Sequence, residues 1–245
     1  MKPRRLDLEL VERSLAESRE QAQRLILAGE VWVDGQRWDK ASKLCAASAG
    51  IEVRGGDRYV SRGGHKLEGA MTGFQLDVTD WRCLDLGAST GGFTDCLLQH
   101  GARAVVAVDV GHGQLHWRLR QDPRVHVYEG INARDLSGLS GELGEKFDLI
   151  VADVSFISLR KVLPPAFDLL SSGGRVCALI KPQFEAGRAD VGKGGIVRDA
   201  EVRARVVREL CAWAAAYPMT TVGTIPSPLP GRDGNEEFLW LLKKK

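Results

Sequence analysis

The chain lacks any apolar run long enough to span a bilayer, and its opening stretch, MKPRRLDLELVERS, has no apolar signal core. Neither a membrane span nor a cleaved leader is therefore expected, and the protein should be soluble. Its five cysteines, Cys45, Cys83, Cys96, Cys177 and Cys211, are not closely paired. That spacing fits neither a zinc ribbon nor a disulfide framework and leaves reduced thiols, so a cytoplasmic protein is expected. The five histidines, His65, His100, His112, His116 and His126, read as surface or core-edge residues, so no metal is expected. Nor is there an excess of one charge: 34 Lys and Arg against 32 Asp and Glu give a net +2. Any nucleic-acid surface must then come from local placement of basic residues. No internal repeat or low-complexity tract is present, and nothing in the sequence sets an oligomeric state.

What is there is enough to bury a large core: 245 residues, 44% of them apolar. This suits one large domain or a catalytic domain with a small partner. Residues 6–17 set Leu8, Val11 and Leu15 on one helical stripe, and Ser18 with Gln21 resembles a capping box opening a second helix that Gly29 closes. Val31–Val33, the Asp34-Gly35 turn and Gln36–Trp38 read as a hairpin, with a further strand at Ile51–Val53. These residues, 1–55, are expected to form a small α+β domain. The glycine-rich, basic stretch around 56–64 reads as a linker.

From Trp81 onward apolar runs alternate with helical stretches: WRCLDL, RAVVAVDV, VHVY, FDLIVAD, RVCALIK, MTTVGTI and EFLWLL. Helices are predicted at Phe93–His100, Leu159–Leu170 and Asp199–Tyr217. The alternation implies an α/β domain over 65–245 with a mostly parallel sheet. The connector SPLPGRDGN is too short for a helical crossover, so the last strand should pair antiparallel.

The first long strand runs into DLGASTGGFTD, a glycine loop at the mouth of a helix, where Asp85 is followed by Gly87, Gly91 and Gly92. Ligands of open α/β sheets sit beyond the carboxyl ends of the strands, and glycine lets backbone approach them closely. The loop has neither the lysine of a phosphate-gripping loop nor the full G-x-G-x-x-G spacing. Asp109 ends the next strand, where a carboxylate can accept ribose hydroxyl protons. A phosphate-free adenosine ligand, S-adenosylmethionine, suits this pattern. A nicotinamide dehydrogenase is the competitor, and Asp153 with the lysine downstream argues against it.

Lys66, Asp153, Lys181 and Glu237 lie where strand ends or the linker would deliver them to one rim. Methyl transfer to a ribose 2′-hydroxyl needs in-line approach and removal or reorientation of the hydroxyl proton, so a lysine there either deprotonates or orients. A cytosine-C5 transfer would instead need a nucleophilic cysteine, and Cys83 and Cys177 sit inside apolar strands.

At these residues the chain resembles the TlyA family of ribosomal RNA 2′-O-methyltransferases, also called the hemolysin A family. The resemblance covers nearly the whole chain. RLDLELVE and SREQAQRLILAGEVWVDG are similar to the RNA-binding domain first seen in the fourth small-subunit ribosomal protein; the remainder resembles FtsJ-type methyltransferases. YVSRGGHKLEGA, VADVSFISL, LIKPQFEAGR and SPLPGRDGNEEFL are among the specific stretches. The resemblance implies a Lys-Asp-Lys-Glu catalytic tetrad at Lys66, Asp153, Lys181 and Glu237, with Glu237 chosen over Glu236 by the family's G-N-x-E order. It also implies cofactor contacts at Asp85, Gly87, Ala88, Ser89, Thr90, Gly91, Gly92 and Phe93. Asp109, Val110, Asn132 and Arg134 complete that set. Ser89 stands where many methyltransferases have glycine.

The family also implies a cytidine ribose of ribosomal RNA as target. RNA would then meet Arg4, Arg5, Ser18, Arg19, Arg24 and Lys43 on the small domain, and Arg188, Lys193 and Arg198 in the glycine-rich segment GRADVGKGGIVRD. From charge alone a solvated mixed-charge surface is the better reading of the small domain, because glutamates are interspersed. Competing functions are a non-catalytic ribosome-assembly factor that binds S-adenosylmethionine and, more weakly, membrane lysis.

Overall fold

A computed structural model describes residues 3–27, 29–54, 58–139, 141, 143–231 and 233–245. The chain divides into two compact units, residues 1–58 and 59–245. Gly55–Asp57, within or beside the stretch read as a linker, lie outside the described residues.

Unit 1 runs β1 (Arg4–Arg5), α1 (Leu6–Glu12), α2 (Arg19–Leu27), β2 (Val31–Val33), β3 (Gln36–Arg37), β4 (Leu44–Cys45) and β5 (Ile51–Val53). The first helix is shorter than its apolar pattern predicts. Ser14 turns left-handed (φ 57°), and the amides of Leu15 and Ala16 fold back onto the Leu10 carbonyl, which closes the helix. Its buried stripe is Leu6 and Leu10, whereas Leu8 is exposed. Ser18 begins α2 as expected, its hydroxyl accepting from the Gln21 amide at 3.2 Å, while the Gln21 side chain accepts from the Glu17 amide. Asp34 and Gly35 both have positive φ, the conformation that joins β2 to β3 as a tight hairpin. β5 pairs on the other side of β2. Leu6, Leu10, Ala22, Ile26, Val31 and Val33 form the core.

Unit 2 contains α3 (Gly63–Phe74), β6 (Arg82–Leu86), α4 (Gly92–Gln99), β7 (Ala104–Asp109), α5 (Trp117–Arg120), β8 (Val125–Glu129) and β9 (Phe147–Ala152). It continues with α6 (Leu159–Leu169), β10 (Leu170–Ile180), α7 (Pro182–Glu185), α8 (Ala200–Ala214), β11 (Met219–Pro226) and β12 (Phe238–Lys244). The sheet order is β11-β12-β10-β9-β6-β7-β8. Strands β10, β9, β6, β7 and β8 are parallel, and β12 pairs antiparallel with both β10 and β11.

Strand residues alternate between two cores. Leu84, Val106, Ile150, Ala178 and Trp240 face one with α6 and α8; Cys83, Val105, Val151, Leu179 and Leu241 face the other with α3 and α4. No helix among the described residues is long and apolar enough to cross a membrane.

Candidate active site

The alternation decides which side chains meet. Asp85, Asp109, Asp153, Lys181 and Glu237 share the odd numbering of Cys83, Val105, Val151, Leu179 and Leu241, the strand residues that face α3 and α4. Asp85 lies inside β6 and Asp109 at the last position of β7. Asp153 and Lys181 come one residue after β9 and β10. Because Ile180 pairs with Phe238, Glu237 enters β12 beside the exit of Lys181 from β10. Helix α3, packed on the same face, supplies Lys66.

Two short ion pairs result. Lys66 Nζ donates to Glu237 Oε2 at 2.6 Å. Lys181 Nζ lies 2.6 Å from Asp153 Oδ1 and donates to Ser155 Oγ at 2.9 Å. The Lys181–Asp153 approach is a charge contact outside hydrogen-bonding angles, so that carboxylate oxygen keeps unspent accepting capacity. Lys66, Lys181 and Asp153 line one cavity of about 370 Å³, and Glu237 stands behind Lys66, 4% exposed.

The glycine loop forms another wall of that cavity through Gly87, Ala88, Ser89, Thr90, Gly92 and Phe93. Gly87 has φ 81°, and a Cβ there would lie 2.9 Å from the Asp153 carbonyl oxygen. Gly91 has φ 99°, and its missing Cβ makes room for Leu119. Ser89 adopts φ 48°, a left-handed conformation that glycine takes without strain; its amide donates to Asp109 Oδ2 at 2.8 Å. Asp85 is fully buried. One carboxylate oxygen accepts from Thr94 Oγ1 at 2.7 Å while the other has no partner, and burial pushes its pKa up to about 7. A buried unpaired carboxylate oxygen facing a cavity calls for a donor from a ligand.

A second, larger cavity of about 850 Å³ shares Gly87, Ser89, Asp153 and Ser155 with the first. It is lined by Asp109, Val110, Asn132 and Arg134, four of the positions that the family resemblance implies for the cofactor. Asp109 accepts backbone amides from Ser89 and Gly111, the latter at 2.7 Å, which fixes its carboxylate at the cavity wall. Asn132 Oδ1 accepts from both the Arg134 amide and Nε, so its carbonyl end shapes the loop. These residues fit S-adenosylmethionine: an orphaned acid for its ammonium, a glycine cradle where a Cβ would intrude, an acid for its ribose, and no lysine in the loop for phosphate.

Sequence reasoning missed Ser155, which touches Lys181, and Gln114, whose amide oxygen accepts from Ser89 Oγ at 3.2 Å. It also missed Asn235. That side chain is 2% exposed, accepts from the Val197 amide and donates to the Gly195 carbonyl, each at 3.0 Å. Together with Arg203, which donates to the Val197 and Arg198 carbonyls, it ties the segment of Arg188, Lys193 and Arg198 to the strand entrance carrying Glu237. The cysteine alternative is closed: Cys83 and Cys177 are buried, and desolvation pushes the Cys177 thiol up to about 12.

The basic residues of unit 1 divide by task. Arg5 and Arg19 both bond the buried Asp7, which also accepts from Gln23. The Arg5 guanidinium beside Asp7 holds its carboxyl well below the usual carboxylate range. Arg4 pairs with Glu12 at 2.9 Å, and Lys43 Nζ sits 3.6 Å from the Trp38 ring centroid. Arg24 lines a shallow surface hollow with Glu20, Gln23 and Leu27.

A family model described as FtsJ-like methyltransferase matches residues 59–244, and one described as S4 domain matches residues 4–51. The 16S/23S rRNA (cytidine-2′-O)-methyltransferase TlyA of Mycobacterium tuberculosis is 51% identical over 97% of this chain and 89% of its own length. Hemolysin A of Brachyspira hyodysenteriae is 44% identical, over 96% of this chain and 98% of that one. Among solved structures, a Streptococcus thermophilus protein bearing the hemolysin name superposes with a TM-score of 0.76 at 43% identity, covering 100% of this chain and 90% of that one.

Proposed function

The chain belongs to the TlyA family of FtsJ-like methyltransferases, and from that premise we propose that it transfers the methyl group of S-adenosylmethionine to the 2′-hydroxyl of a cytidine in ribosomal RNA. The observation that carries this reading is the pair of lysine–acid contacts, Lys66 with Glu237 and Lys181 with Asp153, around a cavity whose other wall is the glycine loop.

When bound, the cofactor supplies an electrophilic methyl on a sulfonium. The chain's own residues do the rest. Asp85 and the backbone of the glycine loop hold the amino-acid end, and Asp109 with the Asn132–Arg134 segment holds the nucleoside. Lys181, fixed between Asp153 and Ser155, meets the ribose hydroxyl as an ammonium donor and orients it, so that the hydroxyl proton is directed to the Asp153 carboxylate, whose Oδ1 has no hydrogen-bond donor. Lys66, held by Glu237, adds a second fixed positive charge beside the hydroxyl oxygen. Most of the acceleration then comes from holding reactants in line rather than from a covalent intermediate.

Unit 1 and the Arg188–Arg198 segment supply RNA affinity through phosphate contacts, which orient a substrate without reading its sequence. A target inside paired RNA must leave its stack, at a cost of about a few kcal/mol that this binding offsets.

The test is direct: incubate the protein and S-adenosylmethionine with unmodified ribosomal subunits, digest the RNA to nucleosides and weigh them. The expected product is 2′-O-methylcytidine. A base-methylated nucleoside, or no new product with RNA binding intact, would replace this reading with a base methyltransferase or an assembly factor.

A further inference from the structure

Lys181 leaves β10 and is followed at once by α7, whose last residue is Glu185. The segment Asp153–Ser158 leaves the neighbouring parallel strand β9 and runs into α6. These two segments are fastened to each other at three places. At the near end, Lys181 Nζ meets Asp153 at 2.6 Å and Ser155 at 2.9 Å. In the middle, the rings of Phe184 and Phe156 lie 5.2 Å apart between centroids. At the far end, Glu185 accepts from Ser158 Oγ and from the Leu159 amide, each at 2.7 Å.

The far fastening has a physical reason to matter. Phe156 has φ 64° and is 91% exposed, so the turn between the two ends holds a disfavoured backbone conformation with little burial of its own ring to offset it. Such a turn keeps its shape only when both ends are held. One end is the lysine contact itself. The other is a carboxylate seated on the first amide of α6, that of Leu159, where an anion is favoured by the helix dipole. Nothing else described bonds the Ser158 hydroxyl across to α7.

We propose that Glu185 is a positioning residue for methyl transfer: it staples the Asp153–Ser158 segment to the chain carrying Lys181, so that Asp153 and Ser155 hold the Lys181 ammonium in one place. This rests on the methyltransferase reading given above. Glu185 acts through its neighbours and lines neither cavity of the site.

The experiment uses full-length protein with Glu185→Ala and Glu185→Gln. It measures hydrogen exchange over residues 154–159 in the free protein, and kcat on ribosomal RNA per S-adenosylhomocysteine-binding site. In E185A, protection of the Leu159 amide is lost and kcat falls roughly tenfold or more, as expected when a reacting group shifts by a fraction of an ångström. E185Q restores both, because its amide oxygen accepts from Leu159 and its NH2 donates to the Ser158 oxygen.

The two readouts must fall together in E185A and return together in E185Q; a change in one without the other, or in neither, overturns the proposal. Should E185A not fold, Glu185→Asp, whose carboxylate stops a methylene short, takes its place with the same outcomes. A wild-type protein that transfers no methyl would sink the methyltransferase reading, while the exchange comparison alone still decides whether the staple exists.

Discussion

Lys66 and Glu237 stand 171 positions apart in the chain and meet at 2.6 Å with both side chains nearly out of solvent, 10% and 3% exposed. One comes from helix α3 and the other from the entrance to β12, so the contact joins the first helix of unit 2 to its last strand. Removing one member of such a pair leaves the other buried and uncompensated, which costs far more than replacing both with apolar groups.

Lys66→Ala should therefore lower stability by about 3 kcal/mol. The double replacement Lys66→Met with Glu237→Leu should recover much of that loss while remaining inactive. Urea unfolding read beside methyl transfer checks both; a double variant less stable than the single one would contradict the buried-pair account.

Asp85 gives the free protein a pH signature. Its pKa is raised by burial to about 7, above the ordinary carboxylate value, so its neutral form favours the fold. That contribution is complete below the unfolded-state value and is lost as pH rises through about 7. Asp85→Asn, which cannot ionise, should then be more stable than wild type at pH 8, and the difference should shrink as pH falls below about 7. Melting temperatures of the ligand-free proteins across that range decide it. The same variant should bind S-adenosylhomocysteine more weakly by calorimetry.

Gly87 and Ser89 sit two residues apart with φ of 81° and 48° and should respond oppositely to substitution. Gly87→Ala adds strain and drives a methyl against the Asp153 carbonyl, so a loss of about 2 kcal/mol and weaker cofactor binding are expected. Ser89→Gly removes strain but frees the unfolded chain, so stability should change by no more than about 1 kcal/mol. Chemical denaturation and cofactor titration of the two variants measure this; equal damage from both would contradict a geometric role for the loop.

Much of this site was legible in the sequence, and the gaps have physical causes. Asp85, Asp109, Asp153 and Lys181 announce themselves because each ends or interrupts an apolar strand run. The sheet and its antiparallel last strand follow from the same runs and the short connector. Helix α3 was hidden by its opening glycines, which read as linker. In the fold Gly64 is required because a Cβ there would strike the Tyr59 ring, and Gly63 and Gly92 let the openings of α3 and α4 cross closely. The β1–β4 pair escaped notice because two-residue strands carry no periodicity. Ser155, Glu185 and Asn235 were missed because each works by bonding a segment distant in sequence, and no local pattern marks that.

Arg19 and Arg24 lie five positions apart on α2, Arg19 bonded to the buried Asp7 and Arg24 lining a surface hollow, so the proposed RNA contact of unit 1 can be tested apart from its folding. Arg24→Glu should weaken RNA binding and reduce its salt slope by about 1, with little change in melting temperature. Arg19→Glu should lower both, because it sets a carboxylate against the buried Asp7. Filter binding over a salt series, paired with thermal melts, reads the two effects apart; an Arg19→Glu protein as stable as wild type would show that Asp7 does not need this partner.

The most direct measurement is single-turnover transfer of labelled methyl from S-adenosylmethionine to ribosomal RNA by wild type and by Lys181→Ala, with cofactor and RNA both saturating. The account predicts ribose methylation by the wild type and a rate at least about a hundredfold lower for the variant, at nearly unchanged affinity for both ligands. Transfer at the wild-type rate without the Lys181 ammonium would contradict it.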